Sequence, residues 1–408
     1  MQHTPCDTGA VQRTDVVVAG GGPAGLIAAL ALARAGLEVA CVDPAPPVSG
    51  RATPGADLRS TALMQPSRTF LEEIGIWPDL AAQASPLRVM RLVDAGGPKP
   101  EVRLARDFDA AELGDAPFGW NVPNWRLRGT LARCAEAEAG ITLRFGLSVA
   151  TVLTRESEVR VGLSDGTRLA CRLLIGADGR ESAVRQAVGI GAHTIRYGQK
   201  ALAFVATHPT PHEDVSTEVH RSGGPFTLVP LPDLEGQPCS AVIWMERGAE
   251  ATRLMALPEP EFEHAATERA CAVFGPLRLA SRRTLWPIIS RLADRLVAER
   301  TALVAEAAHV VPPIGAQGLN MSLADIRSLT ELAASRPEDP GAPDLLASYQ
   351  RQRWPELAAR VAGVDALNRA AIAGPQVLRD LRMQGLRALH GTRPLRRALM
   401  RTGLGASL

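Results

Sequence analysis

Lysine is nearly absent from this 408-residue sequence: Lys99 and Lys200 are the only two, and arginine supplies the rest of the 45 basic residues. Aromatic residues are also scarce, at 4%, and a formal net charge of +2 gives no strong field to attract nucleic acid. No apolar run reaches the roughly 18 residues that suggest a membrane span. Residues 1–14 lack the apolar segment of a secretory signal. We therefore expect a cytoplasmic protein without an integral membrane anchor.

Cysteine pairs at metal-ligand or redox spacing are missing as well. This pattern predicts reduced, mostly buried thiols and no metal site. The HExxH, P-loop and GxSxG motifs are also absent, which removes the enzyme classes that depend on them. The six cysteines lie far apart in the chain, at Cys6, Cys41, Cys134, Cys171, Cys239 and Cys271.

A glycine-rich turn near the N-terminus separates a short apolar run from an Ala/Leu-rich segment that is typical of a helix. Gly20 permits a tight turn, Gly22 lets the backbone approach a diphosphate, and Gly25 lets the helix pack closely on the strand. The helix N-terminus then offers free amide groups to the phosphates. The turn reads Gly20, Gly21, Gly22, Pro23, Ala24 and Gly25, which is a GxGxxG.

An acidic residue completes this unit. Asp43 follows Gly25 by 18 residues and ends the second apolar strand, where a carboxylate can accept both hydroxyls of a ribose. The strand, turn, helix and acid together predict a dinucleotide site. The alternative is a glycine-rich turn that binds nothing.

Alternating strand and helix patterns along the rest of the chain predict an α/β fold with two interleaved domains. Apolar strands near residues 15, 37, 173 and 302 are expected to share one sheet although they are far apart in sequence. Residues 60–74 show helical spacing and are predicted to be a helix. Asp165 and Gly166 predict a hairpin turn between the strands at 158–163 and 173–175.

The predicted architecture is a Rossmann-like FAD-binding domain interleaved with a mixed-sheet substrate domain and followed by a helical C-terminus. The FAD-binding domain is expected at residues 14–90, 126–190 and 291–345. The substrate domain is expected at 91–125 and 191–290, and the C-terminal helical region at 346–408.

Two further motifs make the interpretation specific. The first is GADGRESAVR at residues 176–185, directly after an apolar strand, and the second runs from residue 303 to Asn320, with Asp325 beyond it. With the glycine-rich turn, they resemble the group A flavoprotein aromatic hydroxylases of the para-hydroxybenzoate hydroxylase fold. The segments at 57–63, 71–77 and 224–231 are most similar to the ubiquinone-biosynthesis branch of that family.

The resemblance implies roles for particular residues. Asp178 and Gly179 would lie where the paths of FAD and nicotinamide meet, with Arg185 supporting their loop. Arg59 would contact the diphosphate, because a guanidinium matches phosphate oxygens in a bidentate manner; the alternative is a surface arginine. Asn124 and Arg128 would lie along the cofactor. The remaining contacts would come from backbone amides and a helix N-terminus near the flavin ring, at Pro313, Gly315, Gly318, Leu319 and Asn320.

Two adjacent positions depart from the family pattern. The family carries Gly-Asp where this chain has Ala305-Glu306, and the aspartate meets the ribityl chain of FAD. Glutamate keeps the acceptor and adds a methylene, whereas alanine in place of glycine disfavours a positive φ. The change predicts reduced FAD affinity or a displaced ring. The intact Gly20–Gly25 turn and Asp43 nevertheless favour binding, with Glu306 as the expected ribityl contact.

The function that the resemblance implies is FAD-dependent hydroxylation of an aromatic ring. NAD(P)H would serve as transient reductant, O2 as oxidant, and a polyprenylated phenol of ubiquinone biosynthesis as substrate. No catalytic residue can be named, and His309 is interpreted as structural. The alternative is a catalytically impaired subunit of a quinone-biosynthesis assembly. A second alternative keeps FAD but makes the protein a reductase or a halogenase. It is disfavoured because the Trp-x-Trp segment and the positioned lysine of the halogenases are absent.

The C-terminal segment adds an unassigned pattern. Seven arginines lie between Arg379 and Arg401, with leucines among them and Asp380 as the only acid. The pattern fits a solvated helical face, and it fits equally an anionic bilayer surface at the inner membrane, where each basic residue contributes about 1 kcal/mol.

Overall fold

The fold is described by a computed structural model that covers residues 11–48, 50–97, 99–221, 223–372 and 375–403. Cys6 and most of the polar N-terminal tail lie outside these ranges. The other five cysteines are free thiols.

The strands are short except for four long ones between residues 192 and 293. In chain order they are β1 Gln12–Arg13, β2 Val16–Ala19, β3 Val39–Asp43, β4 Ser60–Met64, β5 Ser85–Leu87, β6 Val89–Asp94, β7 Leu104–Asp109, β8 Gly119–Pro123, β9 Ile141–Phe145, β10 Val149–Thr154, β11 Val159–Leu163, β12 Arg168–Cys171, β13 Leu173–Gly176, β14 Ala192–Thr207, β15 Val215–His220, β16 Pro225–Leu234, β17 Gln237–Arg247, β18 Arg278–Leu279, β19 Thr284–Ala293, β20 Val297–Ala298, β21 Thr301–Leu303 and β22 His309–Val310.

The helices fill the spaces between the strands and then dominate the C-terminal part. They are α1 Pro23–Arg34, α2 Gln65–Glu73, α3 Trp77–Ala81, α4 Asn124–Ala137, α5 Ala183–Ala187, α6 Gly248–Met255, α7 Glu259–Arg269, α8 Ala305–Ala308, α9 Gln317–Ala334, α10 Pro343–Ile372, α11 Gln376–Gly391 and α12 Arg393–Gly403, with one 3-10 turn at Ala110–Glu112.

A six-stranded sheet carries the nucleotide-binding unit. Its strand order is β20-β21-β13-β2-β3-β9, and the five strands from β21 to β9 pair in parallel. All four residues of β2 are buried, as expected for a central parallel strand with helices on both faces. The sheet confirms that the apolar segments near 15, 37, 173 and 302 belong together. The connection direction reverses on the two sides of β2, so a crevice opens at the carboxyl edge.

A nine-stranded sheet forms the second unit. Its main path is β22-β19-β14-β17-β16-β15-β6-β7, with β18 paired to β14, and β15 and β6 are its one parallel pair among the described strands. One face packs on α6 and α7 through Phe204, Phe226 and Trp244. Because side chains alternate along a strand, the other face is left for the nucleotide-binding unit. The interleaved α/β class is therefore confirmed.

Two local predictions were wrong. Residues 60–64 are strand β4, not helix, because they pair with β8, and the helix begins only at Gln65 with a proline in its first turn. The turn at Asp165 and Gly166 joins β11 to β12, a strand that the sequence pattern did not indicate, whereas β13 pairs in the six-stranded sheet.

The C-terminal helices surround both sheets. Helix α10 packs against α9 and β19, and α11 contacts β7, which ends the main path of the nine-stranded sheet. Within the described residues, none of these helices combines the length and apolar character needed to span a membrane. The helical C-terminus agrees with the sequence expectation.

Candidate functional site

The glycine loop, residues 20–25, lies at the carboxyl end of β2. Gly20 has φ +109°, and a Cβ there would lie 2.2 Å from the carbonyl oxygen of Ala177. A Cβ on Gly25 would lie 1.8 Å from the carbonyl oxygen of Gly20. Around Gly22, by contrast, there is open space within 4 Å, and no side chain caps α1. The loop therefore packs tightly on its inner side and leaves its outer side free for an anion.

Asp43 and Arg128 support this loop from the side. Asp43 accepts hydrogen bonds from the backbone N–H of Gly21 at 2.6 Å and from Nη2 of Arg128 at 3.1 Å. Arg128 also donates from Nε to the carbonyl oxygen of Gly21 at 2.8 Å, and to the carbonyl oxygens of Ala45 and Pro46. The guanidinium of Arg128 thus fixes the loop after β3 to the glycine loop. Asp43 retains acceptor capacity, because a carboxylate can accept about four hydrogen bonds.

The loop after β13 reaches the same edge. The Oδ2 atom of Asp178 accepts from the backbone N–H of Val184 at 3.0 Å, whereas Oδ1 is buried without a partner. Gly179 has φ +84° and open space around its Cα. Arg185 donates to the carbonyl oxygens of Ala307 at 2.9 Å and of Arg180 at 3.0 Å, so it joins this loop to α8. Burial, together with the charge of Arg291, lowers the pKa of Arg185.

The β21 loop, residues 304–306, carries the departure from the family pattern. Ala305 adopts φ +55°, the left-handed region that the sequence comparison expected glycine to serve. A non-glycine residue there costs roughly 1–2 kcal/mol. The Oε2 atom of Glu306 lies 3.5 Å from Nε of Arg180. The charge of Glu306 also contributes to the raised pKa of Arg59, so this carboxylate acts on two guanidinium groups.

Arg59 is oriented by Asp57 and Trp286. It forms a bidentate pair with Asp57, at 2.8 and 2.7 Å, and its guanidinium lies 4.8 Å from the ring centroid of Trp286. Asn124 donates to the second oxygen of Asp57 at 2.9 Å. Burial opposes the charge of Arg59, but Asp57 and then Glu306 outweigh it and raise the pKa of Arg59. Burial likewise opposes the carboxylate, yet the Arg59 and Asn124 hydrogen bonds hold the pKa of Asp57 below its ordinary value.

The third motif approaches from β22 towards α9. Gly315 has φ +64° and Ala316 φ +54°, and α9 begins at Gln317 without a side-chain cap. Gly318 has open space around it, and Pro313 is exposed. Leu319 differs from them because it packs against the main core. The exposed turn offers backbone groups to a ring that lies along it.

Both polar atoms of the Asn320 side chain form hydrogen bonds within the protein. Its Oδ1 accepts from the backbone N–H of Met64 at 2.9 Å and from Oγ of Ser67 at 2.6 Å. Its Nδ2 donates to the carbonyl oxygens of Ala62 and Ala316. Only the backbone of Asn320 is therefore available for a cofactor, and its side chain fixes α9 to β4.

His309 is buried and its Nε2 lies 2.8 Å from Oδ2 of Asp325. The other oxygen of Asp325 accepts from Nε of Arg353 at 2.8 Å. This buried triad holds β22, α9 and α10 together, which agrees with the structural interpretation of His309.

An apolar region separates this turn from the nine-stranded sheet. Ala316 packs with Val229 and with residues of β4 and β5, and Ile314 packs with Tyr197 and Ile243. The hydroxyl of Tyr197 donates to Asp365 at 2.6 Å and meets Ser290 at 2.7 Å. Burial and the Asp365 hydrogen bond raise the pKa of Tyr197 to about 12. Tyr197 therefore stays protonated beside this region at neutral pH.

Several supporting residues could not be inferred from the sequence. Arg282 donates to the carbonyl oxygens of Arg51, Thr53 and Ala56, which fixes the loop after β3 to the other sheet. Trp286 and Arg180 were also not predicted. Asp57 and Arg180 left a signal, because they lie within segments that resembled the family, and Asn124 was predicted to lie along the cofactor.

The residues present fit a dinucleotide. Three loops meet at the carboxyl edge, with open space at Gly22, Gly179 and Gly318 for an elongated ligand. A buried acceptor without a partner, Oδ1 of Asp178, matches a ligand hydroxyl or amide donor. The uncapped end of α1 matches a diphosphate.

Comparison with known proteins agrees with this geometry. The family described as "FAD binding domain" matches residues 13–363. Ubiquinone hydroxylase UbiL of Rhodospirillum rubrum is 34% identical over 98% of this chain and 91% of its own length. The 3-demethoxyubiquinol 3-hydroxylase of Escherichia coli is 28% identical over 97% of this chain and 99% of its own.

Solved structures support the fold. The p-nitrophenol 4-monooxygenase PnpA of Pseudomonas putida superposes with a TM-score of 0.80 at 19% identity, covering 97% of this chain and 99% of the other. PqsL of Pseudomonas aeruginosa gives a TM-score of 0.74 at 24% identity, covering 88% and 97%. The chain belongs to the FAD-binding family of aromatic hydroxylases, in the branch that includes the ubiquinone hydroxylases.

Proposed function

We propose that this protein is an FAD-dependent monooxygenase that hydroxylates the aromatic ring of a polyprenylated phenol in ubiquinone biosynthesis, with NAD(P)H and O2. The observation that carries the proposal is the convergence of three loops, after β2, β13 and β21, at one edge of the six-stranded sheet. The similarity to ubiquinone hydroxylases over nearly the whole chain supports the substrate class.

FAD, when bound, supplies the redox chemistry and the protein supplies positioning and shielding. The proposed contacts are the glycine loop and α1 for the diphosphate, Asp43 for the ribose, and Asp178 with Gly179 for the central part of the cofactor. Arg59 and Glu306 would flank the diphosphate and ribityl region. The turn at residues 313–320 would hold the ring through backbone groups. Arg128 supports these contacts by orienting Asp43.

The substrate ring is proposed to lie between that turn and the nine-stranded sheet. Ala316, Val229, Ile314 and Ile243 make this region apolar, which suits a phenol that carries an isoprenoid chain. The same side chains would shield the substrate ring from water. Tyr197 borders this region, and its hydroxyl is held by Asp365 and Ser290.

The test begins with the purified protein and added FAD. A visible flavin spectrum, followed by O2-dependent NAD(P)H consumption and a hydroxylated product with a prenylated phenol, is expected. A protein that binds FAD but oxidises none of a series of prenylated phenols would refute the substrate class. Quinone intermediates that accumulate after deletion of the gene would identify the ring position.

The second candidate is a catalytically impaired subunit of a quinone-biosynthesis assembly. Ala305 in the left-handed region and the longer Glu306 favour it, because both stand where the family places Gly-Asp. The flavin spectrum separates the two functions. A protein that stays colourless with excess FAD, and yet co-purifies with other quinone-biosynthesis proteins, would support this candidate.

We also propose that α11 lies on an anionic membrane surface. Its apolar side chains face outward: Val377 is 70% exposed, Leu378 48% and Leu381 61%. Arg382 and Asp380 are held by the protein, where Arg382 donates to Asp94 and Asp380 pairs with Arg103 at 2.6 Å, whereas Arg387 is exposed. An exposed apolar side with arginine beside it suits an interfacial helix.

The charge around the apolar side of α11 favours an anionic bilayer. Arg387, Arg393 and Arg401 are exposed, and the nearby Asp380 is already paired. Flotation with vesicles containing phosphatidylglycerol is expected to recover the wild-type protein and to lose Leu378→Ser/Leu381→Ser. Leu153→Ser is the matched control, because Leu153 is 51% exposed on the sheet of β10. Equal flotation of all three proteins would refute the membrane contact.

We propose that the chain divides into the two interleaved domains and the helical region that the sequence predicts. The FAD-binding domain would comprise residues 14–90, 126–190 and 291–345, and the substrate domain 91–125 and 191–290, with a helical region at 346–408. In limited proteolysis, added FAD is expected to protect the three segments of the FAD-binding domain together.

A further inference from the structure

A cavity of about 570 Å³ lies on the far side of the nine-stranded sheet, away from the apolar region beside the proposed flavin site. Side chains of β17, α6, α7 and α11 line it, among them Trp244, Glu246, Arg269 and Arg379. Neither the proposed hydroxylation nor the packing of the sheet requires a polar cavity here. Its lining therefore needs a separate explanation.

Three buried N–H groups around this cavity have no hydrogen-bond partner. They are Nε of Arg269, Nε of Arg379 and Nε1 of Trp244. All three are donors, and each buried polar group without a partner needs an explanation. Arg269 and Trp244 are only 5% and 4% exposed, so bulk water does not satisfy them. The residues that carry these donors line one cavity, which favours a ligand made of acceptors.

The net charge of the residues that line the cavity also favours a ligand with negative charge. Glu250 is paired with Arg253, and Glu268 with Arg221, so these four charges cancel. Arg247, Arg269 and Arg379 have no ion pair in the described part of the chain, and Glu246 is the only acid that opposes them. Burial raises the pKa of Glu246, which weakens that opposition. Burial also lowers the pKa of Arg269 to about 10, as expected for a cation that lacks a counterion.

We infer that this cavity is a binding site for a phosphate-class oxyanion, held by the guanidinium of Arg379, by Nε of Arg269 and by the indole N–H of Trp244. The two Nη atoms of Arg269 already donate to the carbonyl oxygens of Val219 and Gly224, which fixes the position of that guanidinium. A phosphate offers several acceptor oxygens and a negative charge, which matches three donors and excess positive charge. The source is either a phospholipid head group, because Arg379 belongs to α11, or a phosphate in solution. The site does not depend on flavin.

The test measures binding of inorganic phosphate to the full chain by isothermal titration calorimetry at constant ionic strength. Arg379→Gln is expected to weaken binding by about tenfold or more, since a hydrogen bond to a charged group is lost. Arg387→Gln is the matched control, because Arg387 lies on the same helix, is exposed and does not line the cavity. No phosphate binding to the wild-type protein, or equal loss in both variants, would overturn the site.

Trp244→Phe tests the indole N–H. It removes the N–H and the five-membered ring from a buried site, so the variant should lose some packing stability, and the folded variant should bind phosphate more weakly. A folded variant that binds phosphate normally would contradict the role of Trp244.

Vesicles distinguish the two sources. Phosphatidylglycerol vesicles that bind the wild-type protein but not Arg379→Gln, beside phosphatidylcholine vesicles that bind neither, would identify a lipid head group. Phosphate binding with vesicle binding that is insensitive to Arg379→Gln would identify a soluble phosphate. Both results support the oxyanion site, and neither requires the hydroxylase activity.

Discussion

The glycine loop and the β21 loop follow parallel strands at the same sheet edge. Both contain a residue with positive φ, but that residue is glycine in the first loop and alanine in the second. At Gly20 and Gly25 any side chain would overlap a backbone carbonyl, at 2.2 and 1.8 Å. At Ala305 the backbone has φ +55° and a Cβ is nevertheless present. Glycine is thus required by space in the first loop. In the second it is favoured only by conformation, and an alanine is tolerated at a small energetic cost.

The largest expected effect tests the spatial requirement. Gly25→Ala should destabilise the protein by about 3 kcal/mol or more, because overpacking against backbone has no flexible group to yield. Gly22→Ala is the matched variant: open space surrounds Gly22, so stability should hold while FAD binding falls. Urea denaturation and flavin absorbance measure the two properties. Equal stability of the two variants would remove the distinction between the inner and outer sides of the loop.

The next effect concerns the support of the glycine loop. Arg128→Met removes the donor to Gly21 and Asp43 while keeping much of the side chain's length. Loss of charge-assisted hydrogen bonds of about 1.5–3 kcal/mol should weaken FAD binding roughly 10- to 100-fold. Fluorescence titration with FAD measures the affinity. Arg126→Met, in the same helix, should have no effect; an equal loss would show that the helix and not the contact is responsible.

A smaller effect tests the conformational requirement. Ala305→Gly should stabilise the protein by about 0.5–1 kcal/mol, since relief of the left-handed strain exceeds the added entropy of the unfolded chain. Ala307→Gly, in the same short helix, should destabilise it by a similar amount. Thermal denaturation without FAD compares the two. If both glycines destabilise equally, the strain at Ala305 is negligible.

The smallest effect concerns the charge network between the loops. Folding lowers the pKa of Asp57. Its ionised form therefore stabilises the folded state at pH values above the unfolded pKa of about 3.9. This stabilisation is lost as the pH falls through the lower pKa of the folded state. Asp57→Asn should therefore lose about 0.5 kcal/mol at pH 7 and match the wild type in strong acid. Urea denaturation from pH 2.5 to 7 measures the difference. A deficit that persists in acid would show that charge is not its cause.

The strand–turn–helix unit could be predicted because its information is local. The apolar run, the glycines and the acid lie within about 30 residues, the length of one βα unit. Residues 60–64 could not be assigned correctly, because they form a strand only through pairing with β8, which lies far along the chain. The proline at the start of α2 was the one local signal of the boundary.

The candidate site also contains residues that the sequence could predict and residues that it could not. Residues within motifs, such as Asp178 and Gly315, could be proposed from resemblance to the family. The contacts that orient them could not. Trp286 beside Arg59, and the three carbonyls held by Arg282, join segments whose proximity only the folded chain creates. The use of the Asn320 side chain for packing also needed coordinates, because its sequence position is equally compatible with a cofactor contact.

The order of strands in the six-stranded sheet constrains how the protein matures. The central strand comes from residues 16–19 and the outer parallel strand β21 from residues 301–303, with the second sheet formed between them. Contacts of such wide sequence separation form late, because loop closure must precede them. Residues 301–306 must therefore leave the ribosome before the β21 loop can join the glycine loop, so the flavin site is completed late in synthesis.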